Sequence, residues 1–208
     1  MNYTYTKRTM EGISRHLTVR CAEDVKIAVG IVKSGGVIAY PTETVYGLGA
    51  LALHEPAIKK VIALKRMGPK PISLAVSNFK MIKEVAFVDD FDILKDLLPG
   101  PITVILRKRE VVPDILTSGS HFVGVRYPSH KIAQLLITKV GEPITSTSAN
   151  ITNFEAPMNA QDVALSVDYI LDGGTSVFGP STVVDLVNKM IVRRGAGYER
   201  IVEKTGIL

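Results

Sequence analysis

The segment Pro41-Thr42-Glu43-Thr44-Val45-Tyr46-Gly47-Leu48-Gly49 sets two hydroxyls, a carboxylate and a phenol directly behind the apolar run Val37 to Tyr40. Loops that leave a buried strand in this way are where α/β proteins hold small ligands. The glycines equally suit an ordinary strand-to-loop turn that needs only their backbone freedom. Thr145-Ser146-Thr147-Ser148-Ala149-Asn150 packs five hydrogen-bonding side chains into six residues, denser than a core strand requires. The theme recurs at Gly179-Pro180-Ser181-Thr182, ahead of Val183-Val184-Asp185. Each of these, read alone, is also a capped turn.

Cations fall in three places. Lys65, Arg66 and Lys70 surround Pro69 and Pro71 at the end of a helical pattern, where positive charge either complements the helix dipole or clamps phosphates. Arg126 ends an apolar strand, and a guanidinium there forms a bidentate pair with a carboxylate, either a ligand's or that of a structural ion pair. Arg193-Arg194-Gly195 is the last set. The short GLG is not a dinucleotide-binding fingerprint, and no GxxxxGK[ST] phosphate loop occurs, so a nucleotide site would have to be built differently. Cys21 is the single cysteine, which excludes an internal disulfide; without clustered histidines it builds no structural zinc site, and no metal ligands are assigned.

The elements that must position these groups interleave helices and strands. Val25, Ala28, Val29 and Val32 form one helical stripe that stops at Gly35-Gly36, and Val37 to Tyr40 then reads as a buried strand. A helix from Pro56 carries Ile58, Val61 and Ile62 inward, followed by a strand over Ile72 to Val76. Phe91, Leu94, Leu97 and Leu98 predict a helix ended by Pro99-Gly100-Pro101, with strands at Ile102 to Leu106 and Val123 to Arg126. Ser129 is placed to cap a helix bearing Ile132, Leu135 and Leu136 and closed by Gly141, before a strand at Ile144 to Thr147. Asn159 with Asp162 resembles a capping arrangement ahead of Val163 to Val167. Strands follow at Tyr169 to Leu171, Thr182 to Val187 and Met190 to Arg193. Close strand pairs near Leu106, Val123 and Val187 imply antiparallel as well as parallel neighbours, hence a twisted mixed sheet with helices.

With 208 residues and 46% hydrophobic content the chain supports one α/β domain. Residues 1–21 are expected to be an N-terminal extension, loosely held at its polar start, and residues 22–208 the catalytic domain. No run approaches the ~20 apolar residues of a membrane span, and the opening lacks the apolar stretch of a secretory signal, so a soluble, cytoplasmic protein is expected. The net charge of +5 favours anionic partners, nucleotides and RNA alike.

Taken together and in this order, the PTETVYGLG loop, the Lys65 segment, the Arg126 strand, Ser148-Ala149-Asn150 and Ser181-Thr182-Val183-Val184-Asp185 resemble the YrdC-type threonylcarbamoyl-AMP synthases in their short, single-domain form. The resemblance runs from about Ala22 to about Arg200. It implies a twisted open sheet of mixed direction with flanking helices and a basic concave cleft. It also implies synthesis of L-threonylcarbamoyl-AMP from L-threonine, bicarbonate and ATP, for the threonylcarbamoyladenosine modification of tRNA. By this resemblance Thr42, Thr44, Arg126 and Ser181 are threonine-binding. Lys65, Arg66, Ser148 and Asn150 are catalytic, and Lys65, Lys70, Ser146, Ser148, Asn150 and Arg194 are nucleotide-binding. ATP would be a substrate with Mg2+, and no tightly bound cofactor is implied. A downstream tRNA-modifying transferase complex is the implied partner, with contact to tRNA or double-stranded RNA and none to membranes.

Two positions depart from the family's pattern. Lys65 and Arg66 are adjacent where the family has Lys-x-Arg, which leaves the division of roles among Lys65, Arg66 and Lys70 open. Thr152-Asn153 stands where the family often has Ser-Gly, and asparagine is able to adopt the left-handed turn of glycine. The rival from another class is a noncatalytic module that grips an RNA stem by its phosphates. It is disfavoured by the absence of an aromatic-rich platform.

Overall fold

The computed structural model describes residues 15–18 and 22–208. Helix α1 (Ala22–Lys33) begins with Glu23 and Asp24 and ends with Lys33, charges that oppose the helix dipole at each end. It buries Val25, Ala28 and Val32 and is released by Gly35, whose φ of 81° an L side chain resists. Strand β2 (Ile38–Tyr40) is wholly buried and turns through residues 41–46 into β3 (Gly47–Gly49), its antiparallel neighbour. Both glycines of β3 lie under the Tyr40 ring: a Cβ on Gly47 would stand 3.0 Å from Tyr40 Cε1, and one on Gly49 3.0 Å from Cδ1. Any larger residue at either position would press on the ring, and this close packing is invisible to hydrophobic alternation.

Helix α2 (Glu55–Leu64) has Pro56 in its first turn and buries Ala57, Ile58 and Val61. Strand β4 (Ser73–Ala75) follows, then α3 (Phe79–Val85), whose cap Asn78 accepts from Met81 N, and α4 (Phe91–Leu97), capped by Asp90. Strand β5 (Ile102–Arg107), the short α5 (Asp114–Thr117) and β6 (Phe122–Arg126) precede α6 (Lys131–Val140). The N-cap of α6 is His130 rather than Ser129, and no side chain caps it; Gly141 closes it at a φ of 88°. Strand β7 (Ile144–Ser148) leads to a short 3-10 turn at Ala160–Asp162, where Asn159 accepts from Asp162 N as its spacing suggested. Residues 163–167 then run irregularly, so that cap starts no longer helix. The chain finishes with β8 (Tyr169–Asp172), β9 (Thr182–Asp185), β10 (Met190–Arg193) and α7 (Tyr198–Thr205).

Among the described residues one sheet holds every strand, in the order β1-β8-β2-β3-β7-β4-β6-β5-β9-β10, with β1 at Arg15–Thr18. The sheet mixes parallel pairs (β8 with β2, β4 with β6, β5 with β9) and antiparallel ones (β3 with β7, β7 with β4, β5 with β6, β9 with β10). Most of the expected extension lies outside the described residues, but β1 falls within it and pairs parallel with β8. Fully buried Leu74, Leu94, Leu97, Leu136 and Ile137 belong to one continuous apolar core, each stabilising the fold by about 1.5–3 kcal/mol relative to exposure.

Candidate functional site

A cleft of about 340 Å³ opens where the residue 41–46 loop, β7, the ends of β4, β5 and β6, and the start of β9 converge. Its size falls in the range of small-molecule sites. Of the sequence-predicted residues, Thr42, Thr44, Arg126, Ser146, Ser148 and Ser181 line it.

The loop is organised by Thr42. Its Oγ1 donates to Val45 O at 2.7 Å and accepts from Thr44 N at 3.1 Å and Val45 N at 3.3 Å. Because its one proton goes to Val45 O, the 2.9 Å contact between the two hydroxyls is a donation from Thr44 to Thr42. Arg126 then donates from Nη1 to Thr44 Oγ1 at 3.0 Å and from Nη2 to Glu43 Oε1 at 2.6 Å. Glu43 Oε2 and Arg126 Nε are buried without a protein partner. Both readings of Arg126 left open by the sequence are thus present in one side chain: a structural ion pair, and an N–H still lacking an acceptor.

A second loop, residues 173–180, is tied against the first. Ser176 Oγ donates to Thr42 O at 2.8 Å. The Tyr46 hydroxyl shares its proton between Gly174 O at 2.7 Å and Asp172 Oδ1 at 3.2 Å and accepts from Gly173 N at 3.0 Å, while burial pushes its pKa upward. Tyr46 is therefore a structural tie between loops. At the far wall Ser181 Oγ meets Thr103 Oγ1 at 2.9 Å, and Arg193 donates to Ser181 O from Nη2 at 2.8 Å and from Nε at 3.2 Å. Burial, and then the positive charge of Arg126, lower the pKa of Arg193. Two guanidiniums thus line one partly desolvated space and repel each other, an arrangement that an anion between them relieves.

Lys65 is buried at 4% exposure behind β7. Its Nζ donates to Ser148 O at 2.5 Å, Asn150 O at 2.8 Å and Asn150 Oδ1 at 3.4 Å, and burial pushes its pKa down to about 8. Asn150 Nδ2 donates to Phe154 O at 2.5 Å, so both ends of this amide are engaged within the protein. Neither Lys65 nor Asn150 is in the cleft lining. Arg66, at a φ of 48°, turns the chain outward; it and Lys70 are exposed, again outside the lining. Asn153 does occupy the left-handed region, at a φ of 72°, as its place in the turn requires.

Of the last arginine pair, Arg193 faces the cleft, whereas Arg194 lies over the Tyr198 ring at 4.5 Å. A register shift between Ile191 and Arg193 defeats the strand alternation that would have identified the inward one. Thr103 and Ser73 also line the cleft, from apolar-looking strands that offered no motif, and so does Thr147, which belongs to the hydroxyl-rich run 145–150 but was given no role of its own. A larger hollow of about 550 Å³ lies at the other end of β5, around Phe87 and His121. Its cations are committed: Arg107 to Asp89, Lys108 to Asp114, and Arg109 Nε to Lys83 O.

Comparison with known proteins adds a lineage to this geometry. The family model Sua5/YciO/YrdC, described as "Telomere recombination", matches residues 30–195. The threonylcarbamoyl-AMP synthase of Pyrococcus abyssi is 40% identical over 78% of this chain and 50% of its own length. That of Idiomarina loihiensis is 34% identical over 77% of this chain and 92% of its length. The structure of P. abyssi Sua5 complexed with L-threonine superposes with a TM-score of 0.86 at 36% identity, covering 92% of this chain and 60% of that one. Escherichia coli YciO, described as uncharacterized, superposes with a TM-score of 0.83 at 29% identity over 94% of this chain and 100% of its own. The chain therefore spans about half the length of the P. abyssi relative and nearly all of the other two.

Proposed function

The chain belongs to the Sua5/YciO/YrdC family, and from that premise we propose that it makes L-threonylcarbamoyl-AMP from L-threonine, bicarbonate and ATP, releasing pyrophosphate, in the cytoplasm, for the modification of tRNA adenosine next to the anticodon. The observation that carries the reading is the pair of guanidiniums, Arg126 and Arg193, lining one small hydroxyl-rich cleft. Such a space suits a substrate with two separated anionic ends, and threonine joined to a nucleotide phosphate is one. The solved P. abyssi relative holds L-threonine.

In this reading Arg126 receives the threonine carboxylate through the terminal N–H groups that Thr44 and Glu43 leave free, and Glu43 fixes the guanidinium plane. The threonine amine adds to CO2 derived from bicarbonate to give a carbamate, and the proton that the amine loses leaves with the bicarbonate's hydroxide as water. A carbamate oxygen then attacks the α-phosphorus of ATP, and the bond to pyrophosphate breaks. Arg193 stabilises the phosphoryl charge, while Ser146 and Ser148 line the path between the two substrates. Rate acceleration rests on alignment and fixed charge, because no nucleophile and base are paired in the cleft. No group of three or more His, Cys, Asp or Glu among the described residues is arranged to hold a metal, so magnesium enters this reading on the ATP phosphates, where it supplies charge neutralisation. The product is labile and must pass to a downstream tRNA-modifying transferase.

The test is pyrophosphate release by the purified chain with ATP and magnesium, with threonine and bicarbonate each present or omitted, and identification of the adenylate by mass spectrometry. Product that requires both omitted components supports the proposal. A folded protein that forms no adenylate yet binds an RNA stem supports the noncatalytic alternative instead.

A further inference from the structure

We propose that Lys65 is a positioning residue: its ammonium staples the end of β7 to helix α2 and thereby sets the wall of the cleft, and it is not a phosphate ligand. The proposal rests on the functional reading above for what the wall does, and on geometry alone for the staple. An ammonium has three N–H donors. Those of Lys65 meet Ser148 O, Asn150 O and Asn150 Oδ1, leaving none for a substrate oxygen. The link is doubled by the backbone, where Lys65 O accepts from Thr152 N at 3.0 Å. One residue at the C-cap of α2 thus grips residues 148–152 through both its side chain and its carbonyl.

The grip fixes a segment that would otherwise be under-held. Strand β7 pairs with β3 only through Leu48 with Thr147 and Gly47 with Ser148, and Ala149 N bonds Tyr46 O at 2.8 Å. Beyond Ala149 the chain leaves the sheet into the residue 150–154 turn, closed by Asn150 Nδ2 on Phe154 O and by Phe154 N on Ile151 O. With the carbonyls of residues 148 and 150 drawn back onto a buried cation, their negative ends are turned away from the space where an anionic substrate would lie. The Ser148 side chain is left on the cleft face. The same cation adds positive potential behind the wall without contact.

The experiment compares Lys65→Met and Lys65→Arg with the wild-type chain by amide hydrogen exchange and steady-state kinetics. Expected are faster exchange confined to residues 149–153, a loss of kcat on the order of tenfold to a hundredfold, as for lost hydrogen bonds to a charged group, and a change in the ATP KM below about threefold. Rescue is sought by aminoethylating Lys65→Cys, in denaturant before refolding, in a Cys21→Ser background; this restores an ammonium of nearly lysine length and is expected to return both exchange and kcat. Unchanged exchange with an ATP KM raised by more than about tenfold would make Lys65 a phosphate ligand and overturn the staple. Should Lys65→Met not fold, the exchange of Lys65→Arg decides alone. Exchange reads the staple whether or not threonine proves to be the substrate, so failure of the functional reading remains distinguishable.

Discussion

Arg126 Nη2 lies 2.6 Å from Glu43 Oε1 with both side chains 7% exposed, so this cleft-lining cation is partly neutralised by the protein itself. Removing one partner of such a pair leaves an uncompensated buried charge, whereas removing both does not. Arg126→Ala is expected to lose about 3–5 kcal/mol in urea unfolding and to raise the threonine KM far more than the ATP KM. The double variant Glu43→Gln/Arg126→Met should regain most of the stability and none of the threonine affinity. If the double variant binds threonine normally, Arg126 serves only the fold.

Arg193 and Arg194 offer a sharper comparison, because adjacent cations occupy different surroundings. Arg193 is fastened to Ser181 O and lines the cleft, and Arg194 covers the Tyr198 ring. Arg193→Ala is expected to raise the ATP KM or lower kcat on the order of a hundredfold, the scale of one lost charge-stabilising group. Arg194→Ala should change either by less than about threefold. Equal losses would mean that both arginines reach the nucleotide.

These contrasts mark what could be read from the sequence alone. The stripe Val25, Ala28, Val32 and the run Val37 to Tyr40 were legible because burial imposes a period on them. The polar motifs were legible too, by residue type: the residue 41–46 loop follows β2, the hydroxyl-rich run occupies β7, and Ser181 stands just before β9. Strand β3 was not: glycines lying under the Tyr40 ring look like loop residues. Helix α7 was missed because it opens on Gly197 without a side-chain cap and buries only Ile201. Within the site, residue types were visible but their commitments were not. Nothing in the pattern says that Lys65 spends its donors on backbone oxygens, or that Thr42 spends its proton on Val45 O. Those facts depend on contacts between segments and on the closing of one short loop.

Lys65 also carries a pH signature whose two halves have opposite sign. Burial lowers its pKa to about 8 in the folded chain, whereas an unfolded lysine keeps its proton to about 10.4. Between those values the unfolded state binds more protons, so stability rises with pH across the window, and the burial penalty is fully felt below about 8. Turnover should fall over the same interval as the staple loses its charge. The check is urea midpoints and kcat of wild-type and Lys65→Met protein at pH 7 and pH 9.5. A stability difference that does not shift toward the wild type at the higher pH would mean that its oxygen acceptors hold the proton as strongly as water does.

The last prediction concerns how the cleft would tell threonine from valine, which has the same shape without the hydroxyl. The sequence pointed to Thr42, Thr44 and Ser181 as the readers, but their hydrogen bonds argue otherwise. Thr42 donates to Val45 O, Thr44 donates to Thr42, and Ser181 is paired with Thr103 and touched by Arg193. Ser73 and Thr147 line the same cleft, and their hydroxyls make no hydrogen bond to the described residues. Gly124 leaves room for the first of them: a Cβ there would stand 2.4 Å from Ser73 Oγ. A site whose polar groups are left unpaired by the wrong ligand rejects it by factors on the order of 10⁴, whereas a missing methyl costs only about 1–3 kcal/mol. Wild-type protein should therefore use threonine, serine weakly and valine hardly at all. Thr147→Val and Ser73→Ala should narrow the threonine-to-valine ratio of kcat/KM by at least about tenfold in one of the two. Thr42→Val should instead lower stability, by the cost of freeing Val45 O and two N–H groups, with the ratio nearly unchanged. Competition assays with the three amino acids, scored by adenylate mass, decide the matter. A collapse of the ratio in Thr42→Val alone would return the recognition role to the loop.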